Sequence, residues 1–320
     1  MFMRLIAVCL AVAVAGSACI PPEEEEDLTR AFGRATVMGR IQRAGVLRVG
    51  TPDVNSPLVR HREKGRLEGL AVDLGRAVAD TLGVDAEFRP LDTKEMFDLI
   101  DSGDLDIGFP QLPITEKVAR RRTVTDPYFV SHQRILAPPD VSEIDDLTGE
   151  SVCLLGGEHA GIPKDLADPP VVVAPDLLAD GIETITPASN SIYLPCVLEL
   201  GKAEQEGRIL AATGLDIDLI SLLLVMEAHC PRFGFFCPSE QGGEVPVELT
   251  GERMSTAGLG ALLEEGSVAW VTYVETVFFR YKRDGGWQAS YEKWISPYLG
   301  APPDPPTLTA EEAAALFPKD

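Results

Sequence analysis

Residues 69–109 read GLAVDLGRAVADTLGVDAEFRPLDTKEMFDLIDSGDLDIGF. This stretch decides the fold, because its periodicity changes repeatedly. Gly69 to Val72 reads as a short strand. From Asp73 to Leu82 the apolar residues Leu74, Ala77, Val78 and Leu82 recur at helical spacing, and Gly83 stops the helix. Val84 to Leu91 alternates as a strand does. Asp92 or Thr93 can cap a second helix, whose buried stripe is Met96, Phe97 and Ile100 and whose end is Gly103. Leu105 to Phe109 is again a strand. Upstream, residues 28–44 read as a helix ending at Gly45, followed by the strand Val46–Val49. Strand and helix in alternation predict an α/β fold with a largely parallel sheet.

The pattern breaks at Ala137-Pro138-Pro139-Asp140 and then restarts. Ser151–Leu155, Val171–Val173 and Ile209–Ala212 read as strands, and Ile192–Glu204 and Leu219–Ala228 as helices. The region from Cys230 to Thr250 is rich in turns. Near Met254 the reading changes again, with an extended segment from Thr256 to Leu263. Ser267 to Arg283 follows as a long amphipathic helix, with Val268, Val271, Val274, Val277, Phe278 and Tyr281 on one face. Trp287 to Trp294 gives a last helix, and the Pro-rich tail 301–320 is expected to be extended.

The chain has 320 residues, 24% charged and 45% apolar, with a formal net charge of −22. That is a globular composition, long enough for two domains. So acidic a surface argues against nucleic acid as a partner. Residues 1–18 read as a lipoprotein signal peptide: Arg4 is the positive start, Leu5–Ala15 the apolar run, and Gly16-Ser17-Ala18 the small residues before Cys19. Cys19 is then the lipidation site; secretion with Cys19 unmodified is the alternative. Residues 19–39 carry Pro21-Pro22 and the block Glu23–Asp27, a disordered acidic tether.

Four cysteines remain beyond the signal and the anchor: Cys153, Cys196, Cys230 and Cys237. An even count in an exported chain suggests two disulfides, and three pairings are possible. Cys153–Cys196 with Cys230–Cys237 is favoured, the second closing the loop 231–236. Buried free thiols are the alternative. A zinc site at His229, Cys230 and Cys237 lacks a fourth ligand. No H-E-x-x-H, G-x-S-x-G or phosphate-loop motif is present, so neither an enzyme nor a cofactor is expected.

Several segments together carry a family resemblance. Arg43 to Thr51 is similar to the opening strand of family 3 solute-binding proteins, and Glu68 to Leu74 to their next strand and helix start. Ser102-Gly103-Asp104-Leu105-Asp106-Ile107, Ile114-Thr115 and Thr125-Asp126-Pro127-Tyr128 resemble their later signatures. Glu265–Val271, Asp284–Trp287 and Tyr291–Trp294 resemble their closing helices. The resemblance implies a type II periplasmic-binding-protein fold of two α/β lobes joined by two crossover segments. Lobe one would be 40–137 with 255–300, and lobe two 138–254. It implies a monomeric, extracytoplasmic receptor that captures an amino-acid-like solute for an ABC permease or a membrane sensor. The Cys153 and Cys196 positions also resemble a disulfide of glutamate- and aspartate-type receptors.

The ligand-binding positions depart from the family pattern. The arginine that holds a ligand carboxylate falls at Val118, and its helpers fall at Gln111 and Pro113. The aromatic that covers the ligand falls at Thr93. The Gly-rich turn of lobe two becomes Gly156-Gly157-Glu158-His159. Asp216 succeeds the acid that binds the ligand amine. The candidate contacts are therefore Asp53, Ser56, Thr93, Gln111, Arg120, Gly157, His159 and Asp216, with Arg120, Arg121 or Arg122 able to replace the missing arginine only by swinging in. A bidentate arginine–carboxylate contact is strong and geometrically particular. Its loss implies either a changed ligand, uncharged, cationic or peptide-like, or a degenerate cleft whose surface serves a partner. The family also includes cyclohexadienyl dehydratases; for such an enzyme Glu158 and His159 would be the acid–base pair.

Overall fold

Seven-residue register between two parallel strands organises the first half of the molecule. The computed structural model describes residues 28–155, 182–185, 210–233, 247–250 and 253–316. β1 (Val46–Pro52) pairs in parallel with β4 (Asp85–Leu91) along its whole length, and with β5 (Ile107–Gly108) on its other side. α1 (Val37–Ala44) precedes β1. Thr36 Oγ1 accepts from the Gly39 N–H at 3.0 Å to start it, and Gly45 in the left-handed region ends it. The helix therefore begins nine residues later than expected. The segment before it is held by tertiary bonds, such as Tyr273 Oη donating to the Leu28 carbonyl at 3.0 Å.

The strand expected over 69–72 is instead the start of a helix. A short hairpin, β2 (Arg60–His61) with β3 (Leu67–Glu68), ends at Gly69, and α2 runs Leu70–Leu82. Leu70, Ala71 and Val72 are all fully buried, so a continuous apolar run served the helix's first turn rather than a strand. Gly69 makes the corner at φ 136°, and a Cβ there would meet the Leu58 carbonyl oxygen at 2.2 Å. Gly69→Ala is expected to lose about 3 kcal/mol or more of stability, from backbone strain and collision together. Urea unfolding would measure it; a loss under about 1 kcal/mol would show that the corner can open.

α3 (Thr93–Ser102) is bounded as expected. Asp92 Oδ1 accepts from the Glu95 N–H at 2.7 Å, and Gly103 closes it at φ 75°. α4 (Glu116–Arg121) starts on Thr115, whose Oγ1 accepts from the Val118 N–H at 3.1 Å. β6 (Thr123–Val124) and the returning β13 (Leu262–Leu263) complete a five-stranded sheet of order β4-β1-β5-β13-β6. α6 (Val268–Arg283) and α7 (Gly286–Trp294) pack on it, followed by α8 (Ser296–Leu299); α6 and α7 have the bounds their periodicity predicted within a residue. Trp270 Nε1 donates to the Asp106 carbonyl at 3.0 Å and Trp287 Nε1 to that of Tyr128 at 2.7 Å. Each bond pairs an indole N–H that burial would otherwise strand.

The second sheet has the path β11-β7-β10-β8-β9. Its strands are β7 (Phe129–Ala137), β8 (Ser151–Leu154), β9 (Glu183–Ile185), β10 (Leu210–Leu215) and β11 (Glu248–Thr250). β7 links the two sheets. Its residues 129–132 pair with β12 (Thr256–Leu259), and its residues 133–137 pair with β10 and β11. The chain thus goes out along β7 and returns antiparallel to it.

Two further expectations change. α5 covers Asp216–Phe233, so half of the loop expected between Cys230 and Cys237 is helical. The tail is not extended throughout: α9 (Ala310–Leu316) forms near its end. Thr309 and Glu312 make reciprocal capping bonds, Thr309 N–H to Glu312 Oε2 at 2.8 Å and Glu312 N–H to Thr309 Oγ1 at 3.2 Å. Its T-x-x-E spacing is a capping box, which the expectation of an extended tail overlooked. Ala313 and Ala314 then bury against Ile114.

Candidate functional site

β10 ends and α5 begins at Asp216, and this junction faces the loops that follow β1 and β5. Asp216 is 3% exposed. It accepts bonds from the Ser131 hydroxyl and from the N–H groups of His132 and Ile217. Burial nonetheless pushes its carboxyl up to about 6, because desolvation outweighs these donors. Two residues on, Asp218 is pushed up to about 7 by burial and then by the neighbouring Asp216 charge. Both lie in the first turn of α5, where the helix dipole favours negative charge, but burial dominates.

Gln111 reaches this pair from the first sheet. Its Nε2 donates to Asp218 Oδ1 at 3.3 Å across 107 residues of sequence, while its Oε1 is buried without a partner. Thr51 Oγ1, at the end of β1, is likewise buried and unpaired. Apolar contacts accompany the polar one. Leu215 and Ile217 belong to the core built on the first sheet, and Val54 packs against that of the second. The junction is thus an acid pair, an amide with a free acceptor, and an apolar rim.

The other expected contacts are less engaged. Asp53 is exposed at the end of β1, and its N–H donates to the Leu91 carbonyl at 3.2 Å. Ser56 is fully buried, but its Oγ accepts from the Val59 N–H at 3.2 Å inside a tight turn, so it shapes the loop. Thr93 is half-buried at the first position of α3. Arg120 is exposed and bonded to Glu116 Oε2 at 2.7 Å, one turn back along α4. Arg122 makes two 2.8 Å bonds to Asp101 and lies 4.4 Å over the Phe97 ring. Val118 is 1% exposed and packs with Met96, Phe97, Leu112 and Leu262. The carboxylate-clamp position is therefore part of a core, and two of the three candidate replacement arginines are committed elsewhere. Gly157, His159, Cys19, Cys196 and Cys237 lie outside the described residues, and nothing of the Cys230 side chain is described.

Asp218 was missed by sequence reasoning. The only available signal was its spacing of two from Asp216 at a helix start, which is as common in solvated first turns. No group of three or more His, Cys, Asp or Glu side chains among the described residues could hold a metal.

The sequence profile of the bacterial extracellular solute-binding proteins, family 3, matches residues 47–297. This chain belongs to that family. The family chain is 30% identical over 174 residues to the membrane-bound lytic murein transglycosylase F of Idiomarina loihiensis, covering 52% of this chain and 35% of that protein. It is 24% identical over 127 residues to the L-cystine-binding protein TcyJ of Escherichia coli, covering 38% and 48%. With the glutamine-binding protein of Geobacillus stearothermophilus it shares 24% over 155 residues, 45% and 59%. It spans less than two thirds of each of these relatives. Among solved structures, a mutant of the arginine-binding protein of T. maritima aligns at TM-score 0.55 and 19% identity, covering 82% of this chain and all of that one. An ancestral cationic amino acid solute-binding protein aligns at 0.56 and 21%, covering 81% and all of it. These likenesses establish the expected type II fold. No helix among the described residues is long and apolar enough to cross a membrane.

Proposed function

We propose that this family 3 protein is an extracytoplasmic receptor, lipid-anchored through Cys19, that captures a small amine-bearing polar solute between its lobes for an ABC importer. The observation that carries this reading is the buried Asp216 and half-buried Asp218 facing Gln111, with Val118 buried where a carboxylate clamp would stand. Asp216 feels the Arg134 charge, but Asp218 has no counter-ion among the described residues. A ligand cation would supply it, and the buried Gln111 Oε1 offers that cation an acceptor. Val118 fills the clamp position, and Arg120 and Arg122 are committed to Glu116 and Asp101, so none of these three offers a ligand carboxylate a partner on the Gln111 side. The preferred solute is thus a cation without one, such as a diamine or a guanidinium compound. That the structural neighbours include proteins named for arginine and cationic amino acids supports the sign of the charge.

In this reading the lobes meet where β7 changes partners, at residues 132–133, and where the chain returns between 250 and 256. The lobe boundaries then fall a few residues inside 137 on the outward crossing. Cys153, buried on β8, is a disulfide cysteine, which agrees with an exported chain; Cys196 is the partner this reading assigns it. The cleft binds and does not catalyse.

A second reading is favoured by one observation. Val54, Leu215, Ile217 and Gln111 already bring the lobes together. A cleft so occupied by its own side chains suits a sensor or protein-interaction subunit. Thermal unfolding of the purified chain against diamines, agmatine, arginine, neutral amino acids and sugars separates the two. A ligand at about a hundred times its dissociation constant adds about 2.7 kcal/mol, or a rise of about 5 °C or more. The largest rise is expected from the cations lacking a carboxylate. Larger rises from neutral amino acids would sink the charge assignment, and no rise from any compound would favour the second reading.

A further inference from the structure

Residues 303–308 form a strap over a cavity of about 300 Å³ on the outer face of β7. Its floor is Val130, His132 and Arg134, the half-buried residues in the strand's alternating pattern. Trp287 and Tyr291 of α7 and Arg253, on the returning segment, also line it. The strap is pinned in its middle and just beyond its C-terminal end. Lys282 Nζ donates to the Pro127 carbonyl at 2.9 Å and to that of Pro306 at 2.8 Å, and the Ala310 N–H donates to Asp126 Oδ1 at 2.8 Å. The cavity is therefore built into the fold.

Its charges are unbalanced. Arg134 Nη2 donates to the Leu249 carbonyl at 3.1 Å, but its Nε is buried with no partner. Neither Arg134 nor Arg253 is paired with a carboxylate among the described residues. His132 shares a 3.2 Å bond with Thr256 Oγ1. Burial and the nearby charges of Arg253 and Arg134 hold its imidazole below the usual range, so it stays neutral at neutral pH. Two acids touch the cavity. Asp216 is already met by three donors, and Asp304 sits on the exposed rim of the strap, where water screens it. What remains is two guanidiniums and an indole–phenol wall with Leu299 beside it.

We propose that this cavity is a second ligand site, for a small organic carboxylate with an apolar body. The carboxylate would bond the Arg134 and Arg253 guanidiniums, the geometry at which arginine is strongest, and the body would lie against Trp287 and Tyr291. The volume suits a single ring or a short chain. This site is not the interlobe junction: Gln111, Asp218 and Asp53 do not line it, and Asp216 alone is shared. Arg134 and Arg253 lie on the two segments that connect the sheets, so the bound anion would bridge them and favour one lobe arrangement.

The test is titration of the purified chain with benzoate, hexanoate and inorganic phosphate, followed by tryptophan fluorescence, since Trp287 lines the cavity. Benzoate and hexanoate are expected to bind saturably and phosphate more weakly. Arg253→Ala, an exposed and structurally undemanding change, should weaken benzoate about tenfold or more, and Arg134→Gln should do the same. Lys94→Ala, an exposed change on α3 away from the cavity, should leave benzoate binding unchanged. The proposal is overturned by any of three results: no saturable signal with either carboxylate, equal affinity in wild type and Arg253→Ala, or loss of benzoate binding in Lys94→Ala. Phosphate binding as tight as benzoate would overturn the assignment of an apolar body.

Discussion

Asp218→Asn is expected to abolish most cation binding and, at the same time, to stabilise the empty protein at neutral pH. The two effects have one cause. Burial and the Asp216 charge raise the Asp218 carboxyl to about 7, far above an unfolded aspartate. The native state therefore holds this proton more tightly than the unfolded chain does. Stability from that difference is fully present below about pH 4 and is lost as pH rises through 7. Asp216, raised to about 6, adds a slope of the same sign that ends earlier. The wild-type melting temperature should thus fall between pH 4 and 7. In Asp218→Asn the fall should be shallower and should end near 6, because of the two acids only Asp216 still titrates. At pH 8 the variant should melt above wild type.

Binding moves the opposite way. Loss of one charged partner in a buried site costs a ligand cation about 2–5 kcal/mol, some thirtyfold or more in affinity. For the wild type, cation affinity should weaken as pH falls through 7 and 6, as the acids take up protons. Melting curves and titrations at pH 5, 6, 7 and 8 read both trends. A variant less stable than wild type at pH 8, with cation affinity unchanged, would show that Asp218 only fastens Gln111.

Asp106→Ala should have the largest effect on stability. Asp106 is 4% exposed and meets Arg48 three times. Oδ2 accepts from the Arg48 N–H at 2.9 Å and from Nε at 2.9 Å, and Oδ1 accepts from Nη2 at 2.6 Å. The pair ties the middle of β1 to the residue that precedes β5. The Trp270 bond to the Asp106 carbonyl adds α6 to the same point. Removing the carboxylate leaves a buried backbone N–H unpaired and a guanidinium one third exposed with only the Gly103 carbonyl, at 2.7 Å. Breaking one side of a buried ion pair costs about 3–5 kcal/mol, and the partial exposure of Arg48 favours the lower figure. Asp106→Asn keeps an acceptor and should lose less, about 1–2 kcal/mol. Urea unfolding with an unchanged m-value would report both. Equal losses in the two variants would mean that packing, not charge, holds this corner.

Features that depend on a few consecutive residues were legible in the sequence. Gly45, Gly83 and Gly103 end three helices in the left-handed region, and Asp92 caps α3, as each residue's own conformational preference requires. The stripe on α6 fixed its buried face, and the ordered motifs fixed the family. The start of α2 was misread because Leu70, Ala71 and Val72 are buried in either a strand or a helix; only the corner at Gly69, closed against Leu58, separates the two. The candidate site was legible in part. Asp216 could be placed by resemblance, while Asp218 and its contact with Gln111 could not. Neither could the commitment of Arg120 and Arg122 to Glu116 and Asp101, since the same arginines could have faced the cleft. Nor could the cavity under the strap. Sequence by itself determined where the backbone turns and which faces are apolar, because those follow from local sterics and side-chain period. Tertiary structure alone decided which carboxylates lose water and which cations lack a partner, because desolvation and pairing are set by groups that the chain brings together from a hundred residues apart.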